Sequence, residues 1–168
     1  MSAATDYLLH LADNALVLGQ RNAEWCGHGP ILEEDIALSN VSLDLIGQAR
    51  LLYQLVATLK GGECTEDKLA YFRDTHEFRN YTLLELPHHG PLSGYAQSDL
   101  DYGTTIVRNF LYSALMALLW EALEKSANAD LAAIAAKSLK EVRYHLRHSR
   151  DWRSEEHTSE LQSPRCIS

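Results

Sequence analysis

Two helical stretches carry residues at the spacing that a two-iron site uses for its ligands. One reads Asp44-Leu45-Ile46-Gly47-Gln48, the other Lys140-Glu141-Val142-Arg143-Tyr144-His145. A di-iron helical bundle takes one Glu from each of two helices. Its other two helices each supply Glu-x-x-His, an i, i+3 pair that aims a carboxylate and an imidazole at the bundle axis. At that spacing this chain has Leu45 with Gln48 and Val142 with His145. Only His145 is a good iron ligand, because neutral imidazole suits Fe and hydrocarbon side chains cannot bind at all. The pattern implies a bundle that keeps the ligand geometry and has lost the donors. A lone imidazole is better explained as a buried histidine satisfied by Glu141 or Glu121 than as a vestigial iron contact. Gln48 needs a partner, since an unsatisfied buried amide costs about 1–3 kcal/mol. A hydrogen bond from Gln48 to His145 across the bundle is the expected solution.

The elements that would position these residues are helical. Residues 6–20 form an apolar stripe through Leu8, Leu11, Ala12, Ala15 and Leu18, with Thr5 or Asp6 as cap. Trp25-Cys26-Gly27-His28-Gly29-Pro30 is turn chemistry. A second long helix is predicted over 33–59, opened by Glu33, Glu34 and Asp35 and stopped by Lys60, Gly61 and Gly62. Its stripe, Leu38, Val41, Leu45, Gln48, Leu52 and Leu55, turns both lost ligand positions inward. Shorter helices are expected at 65–73 and 75–86, before a loop holding Pro87, His88, His89, Gly90, Pro91 and Gly94. Further long helices are predicted over 103–126 and 129–150. The first is striped by Ile106, Phe110, Ala114, Ala117 and Glu121, the second by Leu131, Ala135, Leu139, Val142 and Leu146. Four long helices joined by short connections, with one long crossover, describe an all-α, ferritin-like four-helix bundle.

Composition narrows the function. The 168 residues suit one domain, and a net charge of -8 argues against a nucleic-acid partner. No run of eighteen apolar residues and no secretory leader is visible, so neither membrane insertion nor export is expected. Cys26, Cys64 and Cys166 have no metal-type spacing, which suggests reduced thiols in a cytoplasmic protein. Residues 153–163 resemble the in-frame translation of a sequencing-library adapter. The domain is therefore expected to be 1–152, a bundle incomplete at its C-terminal end, with 153–168 a non-native tail. The apolar faces of such a bundle would be left partly uncovered.

Other chemistry-bearing residues have bland explanations. His88-His89 in a Pro/Gly loop is expected to be solvated, and Cys26 with His28 lacks a second ligand pair. Glu141, Arg143, Arg147 and Arg150 are either a solvated helix face or a docking surface.

Several stretches together resemble one family. They are Asp13-Asn14-Ala15-Leu16-Val17-Leu18, Glu24-Trp25-Cys26-Gly27-His28, Ser42-Leu43-Asp44-Leu45-Ile46-Gly47-Gln48-Ala49-Arg50 and Lys140-Glu141-Val142-Arg143-Tyr144-His145-Leu146-Arg147. They are similar to the C-subunit family of the bacterial phenylacetyl-CoA epoxidase, the ring 1,2-phenylacetyl-CoA monooxygenase. The resemblance covers nearly all of 5–152. It implies a ferritin-like protein, regarded as structural, that pairs with a homologous A subunit holding the di-iron centre. A reductase component with FAD and an iron-sulfur cluster would deliver electrons from NADPH, and phenylacetyl-CoA would bind near the interface. Docking to the A subunit is then one reading of Arg143, Arg147 and Arg150. The segment Asp74-Thr75-His76-Glu77-Phe78-Arg79-Asn80 matches a family stretch associated with the acyl-CoA, which makes Glu77, Phe78, Arg79 and Asn80 candidate substrate contacts. An amphipathic helix burying Phe78 would explain the same letters.

The expectation is a non-catalytic structural subunit in aerobic phenylacetate catabolism, holding no cofactor itself. Its alternatives are a self-sufficient di-iron oxygenase with unusual ligands and a free-standing acyl-CoA-binding helical module.

Overall fold

The computed structural model describes residues 3–89 and 100–162, with side chains to residue 152. Gly90, Pro91 and Gly94 of the expected loop lie outside the described residues. Among the described residues all regular structure is helical: α1 (Ala3–Ala23), α2 (Leu32–Lys60), α3 (Glu66–Tyr71), α4 (Thr82–Glu85), α5 (Tyr102–Leu123) and α6 (Ala129–Gln162), with a 3₁₀ turn at Thr75–Glu77. α1 packs along α2, α5 along α6, and α2 against α6.

The helix boundaries follow local chemistry. Asp35, in the acidic first turn of α2, accepts the amides of Gly27 (2.7 Å) and Gly29 (3.3 Å) and so ties the preceding turn to the helix. Gly27 sits at φ 81°, and a Cβ on Gly29 would lie 2.8 Å from the Cβ of Asp35, so glycine is required at both. Gly61 (φ 67°) ends α2, its amide bonding the Ala57 carbonyl at 2.9 Å. Thr65 caps α3 by accepting from the Lys68 amide.

The core is built from Leu8, Leu11 and Leu18 of α1, Leu45, Leu52 and Val56 of α2, Met116 and Trp120 of α5, and Leu139 and Val142 of α6. Each such large side chain contributes about 1.5–3 kcal/mol by leaving water. A second cluster, Trp25, Leu38, Tyr102 and Ile106, closes the bundle end near the α1–α2 turn. Trp152 packs on it, its ring 5.2 Å from that of Tyr102.

Three expectations change. The stretch 75–86 is not one helix, because its backbone amides are taken elsewhere: Arg79 donates to the Asp13 carboxylate and Tyr81 to the Asn14 carbonyl. The buried face of α5 only partly matches the predicted one: Ile106 and Ala117 are buried, and Phe110 and Ala114 half-buried. It includes Thr105, Arg108, Asn109, Tyr112 and Ser113, whereas Glu121 is exposed. α6 continues past residue 150 as a helix to Gln162. α5 is long and apolar enough to cross a membrane by length and composition, yet Arg108, Asn109 and Ser113 on it are buried against the other helices. Apolar side chains remain exposed along the outer face of α5 (Val107, Leu111, Leu115, Leu118) and on α2 (Leu32, Ile36, Leu43).

Candidate functional site

The four positions at ligand spacing face the core, as the helical periodicity predicts. Leu45, Gln48, Val142 and His145 are all at most 2% exposed. Leu45 and Val142 belong to the main hydrophobic core. The polar pair finds partners other than those expected, and the buried Gln48 Oε1 is left without one. The Gln48 amide donates to Glu141 at 2.9 Å, and His145 Nε2 lies 2.9 Å from Asp44 Oδ2. Each polar axis residue thus turns to a carboxylate on the facing helix at the edge of the core, and the direct Gln48–His145 bond does not form. Glu121 pairs with Arg143 (2.7 Å), not with His145. His148 and Tyr102 both meet Glu34 Oε2, at 2.9 and 2.6 Å, extending the polar seam between α2 and α6.

A two-iron centre does not fit this donor set. Two of the four axis positions are hydrocarbon, and the other two already engage protein carboxylates. Among the described residues no group of three or more His, Cys, Asp or Glu could hold a metal ion.

Burial holds the His145 imidazole below its ordinary pKa of 6.5, outweighing the pull of Asp44 in the other direction. The fold therefore favours the neutral ring. That contribution is full above the unfolded value and is lost as pH falls through it toward the lower folded value. His88 is shifted in the same direction, by burial and then by Arg108. Urea midpoints should drop between pH 7 and pH 5, and His145→Gln should flatten the slope without abolishing it, since His88 remains.

The segment after α3 is pinned from α1, by Asp13 and Asn14 at the head of the Asp13–Leu18 stretch and by His10. Asp13, fully buried, accepts from Tyr53 Oη (2.6 Å), from both terminal nitrogens of Arg73 and from the Arg79 amide (2.9 Å). Asn14 takes the Tyr81 amide at 2.7 Å, and His10 Nδ1 contacts the Arg79 carbonyl. Phe78, Arg79 and Asn80, which follow the 3₁₀ turn ending at Glu77, are thereby fixed outside any helix. The Glu77 carboxylate bonds the Asp74 amide (2.8 Å), and Asn80 bonds Glu85 (2.8 Å). Phe78 is half-buried, not within a helix but under the Arg73 guanidinium, which lies 4.2 Å from its ring centre. One local signal could have pointed to this anchor: an acid and an amide interrupt the apolar run from Leu8 to Leu18.

His88 is buried, contrary to the solvated loop expected. Its Nδ1 faces Trp25 Nε1 (3.0 Å), Thr105 Oγ1 (2.9 Å) and Arg108 (3.1 Å), and its Nε2 lies 3.0 Å from Glu24. Burial, reinforced by the like charge of Arg21, pushes Arg108 down to about 10. Asn22 and Asn109 exchange two amide bonds (2.9 and 3.1 Å) between α1 and α5. Cys26 is exposed in its turn, with His28 bonded to the Cys26 carbonyl. Arg143, Arg147 and Arg150 lie on α6, and all three are exposed.

A family model described as phenylacetic acid catabolic protein matches residues 1–164. The chain belongs to this family. Among curated proteins it is similar to the C subunit of the 1,2-phenylacetyl-CoA epoxidase of Escherichia coli (strain K12), with 45% identity over 152 residues. That alignment covers 90% of this chain and 56% of the relative, so the chain spans about half the relative's length. The phenylacetic acid catabolic family match reaches past residue 152 into the stretch that resembles adapter translation.

Proposed function

We propose that this chain is a non-catalytic structural subunit of a multicomponent phenylacetyl-CoA ring epoxidase, bracing a homologous di-iron A subunit in aerobic phenylacetate breakdown. The observation that carries the reading is the axis of the bundle. Where a di-iron protein needs carboxylates, Leu45 and Val142 lie in the dry core, and the surviving polar residues bond Glu141 and Asp44. A self-sufficient oxygenase would need oxygen donors at those two hydrocarbon positions.

In this reading the iron resides in the A subunit, FAD and the iron-sulfur cluster in the reductase, and NADPH supplies the electrons. The native domain is 1–152, with 153–168 a non-native tail. A partner of this kind acts by holding the helices that carry the ligands, since losing an outer-shell support typically costs about 10–100-fold in metal affinity or activity. Glu77, Phe78, Arg79 and Asn80 form a surface strip fixed by Asp13 and Asn14, suited to touch an acyl-CoA at the interface. Arg143, Arg147 and Arg150 on α6 are candidate docking residues.

Co-expression of this chain with a tagged A subunit tests the proposal. The two are expected to elute as one complex in which the A subunit keeps its iron better than it does alone. An A subunit that purifies free of this chain would overturn the proposal.

A further inference from the structure

We infer that a pocket between α4 and the first turns of α5 binds a small carboxylate carried on an apolar body. The pocket, of about 310 Å³, is lined by Leu83, Leu86, Thr104, Val107 and Arg108. That volume lies at the lower end of the range for small-molecule sites. Three of the five side chains are aliphatic, and Arg108 is the one charged group in the wall. Small-molecule sites commonly have this make-up, an apolar lining with few polar groups that fix the ligand's orientation.

Arg108 is 2% exposed, and its guanidinium is fixed before any ligand arrives. Nη1 donates to the Leu86 carbonyl, and Nη2 to His88 Nδ1 at 3.1 Å. The Trp25 indole N–H also points at His88 Nδ1 (3.0 Å), so that nitrogen is an acceptor and the ring is neutral. Arg108 therefore rests on neutral acceptors alone, and among the described residues it forms no salt bridge. The acid in this network, Glu24, stands beyond the His88 ring and is shared with Arg21 at 3.1 Å. Its pull does not offset burial and the like charge of Arg21, which bring Arg108 down to about 10 and leave it a cation at neutral pH. The Arg108 Nε–H is buried with no acceptor.

A buried guanidinium without a counter-ion is costly. One incoming carboxylate would supply both the missing charge and an acceptor for Nε–H. Bracing the backbone at Leu86 explains the Nη1 bond, but neither the unmatched charge nor the orphaned donor. The planar fork suits a carboxylate, while Leu83, Leu86 and Val107 give the rest of the ligand a hydrocarbon wall. Leu86 and Val107 are 40% and 48% exposed, so a bound apolar body would take their surface out of water. None of the five lining residues belongs to the axis set or to residues 77–80, so the inference does not rest on the scaffold reading.

Calorimetric titration of the whole chain at neutral pH tests this. Octanoate and phenylbutanoate are the probes, their primary amides the matched neutral controls, and acetate the head group alone. Saturable binding of at least one of the two long acids is expected, tighter than acetate and at least about 10-fold tighter than its amide, a difference of about 1.4 kcal/mol. Val107→Trp, a bulky change at an exposed lining position, should abolish the binding while circular dichroism stays that of the parent. Arg108→Gln should erase the preference for acid over amide; if that variant does not fold, Val107→Trp decides alone. Leu118→Ser, on the same apolar face of α5 but about three turns away, should change nothing. No saturable heat from either long acid, equal affinity for acid and amide, or equal loss in Leu118→Ser would overturn the site. Acetate binding as tight as octanoate would overturn it too, since the lining would then contribute nothing. Sedimentation of the same samples reads the other occupant. A dimer that Val107→Trp disperses, with no heat from the acids, would give the pocket to a second copy of the chain and overturn the inference.

Discussion

Asp13→Ala is expected to destabilise the chain by about 3–5 kcal/mol, the usual consequence of removing one partner from a buried ion pair. The buried carboxylate has three clients: the Arg73 guanidinium, the Tyr53 hydroxyl and the Arg79 amide. Without it Arg73 keeps its charge in a site only 9% exposed, and two further donors lose their acceptor. Against a total of about 5–15 kcal/mol for a domain, this loss threatens folding itself. Urea unfolding followed by circular dichroism measures it. Asp13→Asn should recover part of the loss, because the amide oxygen still serves at least one of the three clients. Arg50→Ala, which removes only an exposed 3.9 Å pair with Glu66, should stay within about 0.5 kcal/mol of the parent. A small effect at Asp13 would mean that the strip at residues 77–80 is not held from α1.

Val142→Glu should be comparably severe, at about 3–5 kcal/mol. The change restores a Glu at the i−3 position of His145, the arrangement a di-iron helix uses. Val142 is buried against the main core, where Leu45 offers the new carboxylate neither a hydrogen bond nor a counter-charge. The carboxyl must stay neutral at a large pKa shift or draw water into the core. Thermal unfolding with and without ferrous iron separates the outcomes. A lowered midpoint that iron does not rescue is expected, whereas full rescue by iron would reveal a latent site.

Much of the fold is legible in the chain because the apolar stripes of α1, α2 and α6 are nearly pure. Leu8, Leu11, Ala12, Ala15 and Leu18 mark one face of α1 at helical spacing, and every one of them is buried. The inward placement of Leu45, Gln48, Val142 and His145 follows from the same periodicity. α5 is harder, since Thr105, Arg108, Asn109 and Ser113 face the core and blur the pattern, and no local rule reveals the partners of the first three. Arg108 is buried because Leu86 and His88, some twenty residues upstream, fold back to receive its donors.

The break in the predicted 75–86 helix has the same origin. Phe78 and the residues around it have acceptable helix propensity, but Asp13 and Asn14 on α1 capture the amides of Arg79 and Tyr81. Long-range capture of backbone donors leaves no trace in a local window. The axis partners escape prediction for a related reason. Asp44, one residue before Leu45, lies off the apolar stripe of α2, yet its position at the helix edge lets it reach His145 on α6.

Iron content is the most direct test of the bundle's chemistry. The chain should be incubated anaerobically with excess ferrous iron, desalted and assayed for metal by mass spectrometry. The predicted result is far below one iron per chain, with no change in thermal midpoint. About two irons per chain, with a di-iron spectroscopic signature lost in His145→Ala, would contradict the claim that hydrocarbon and internally bonded polar groups hold this bundle together.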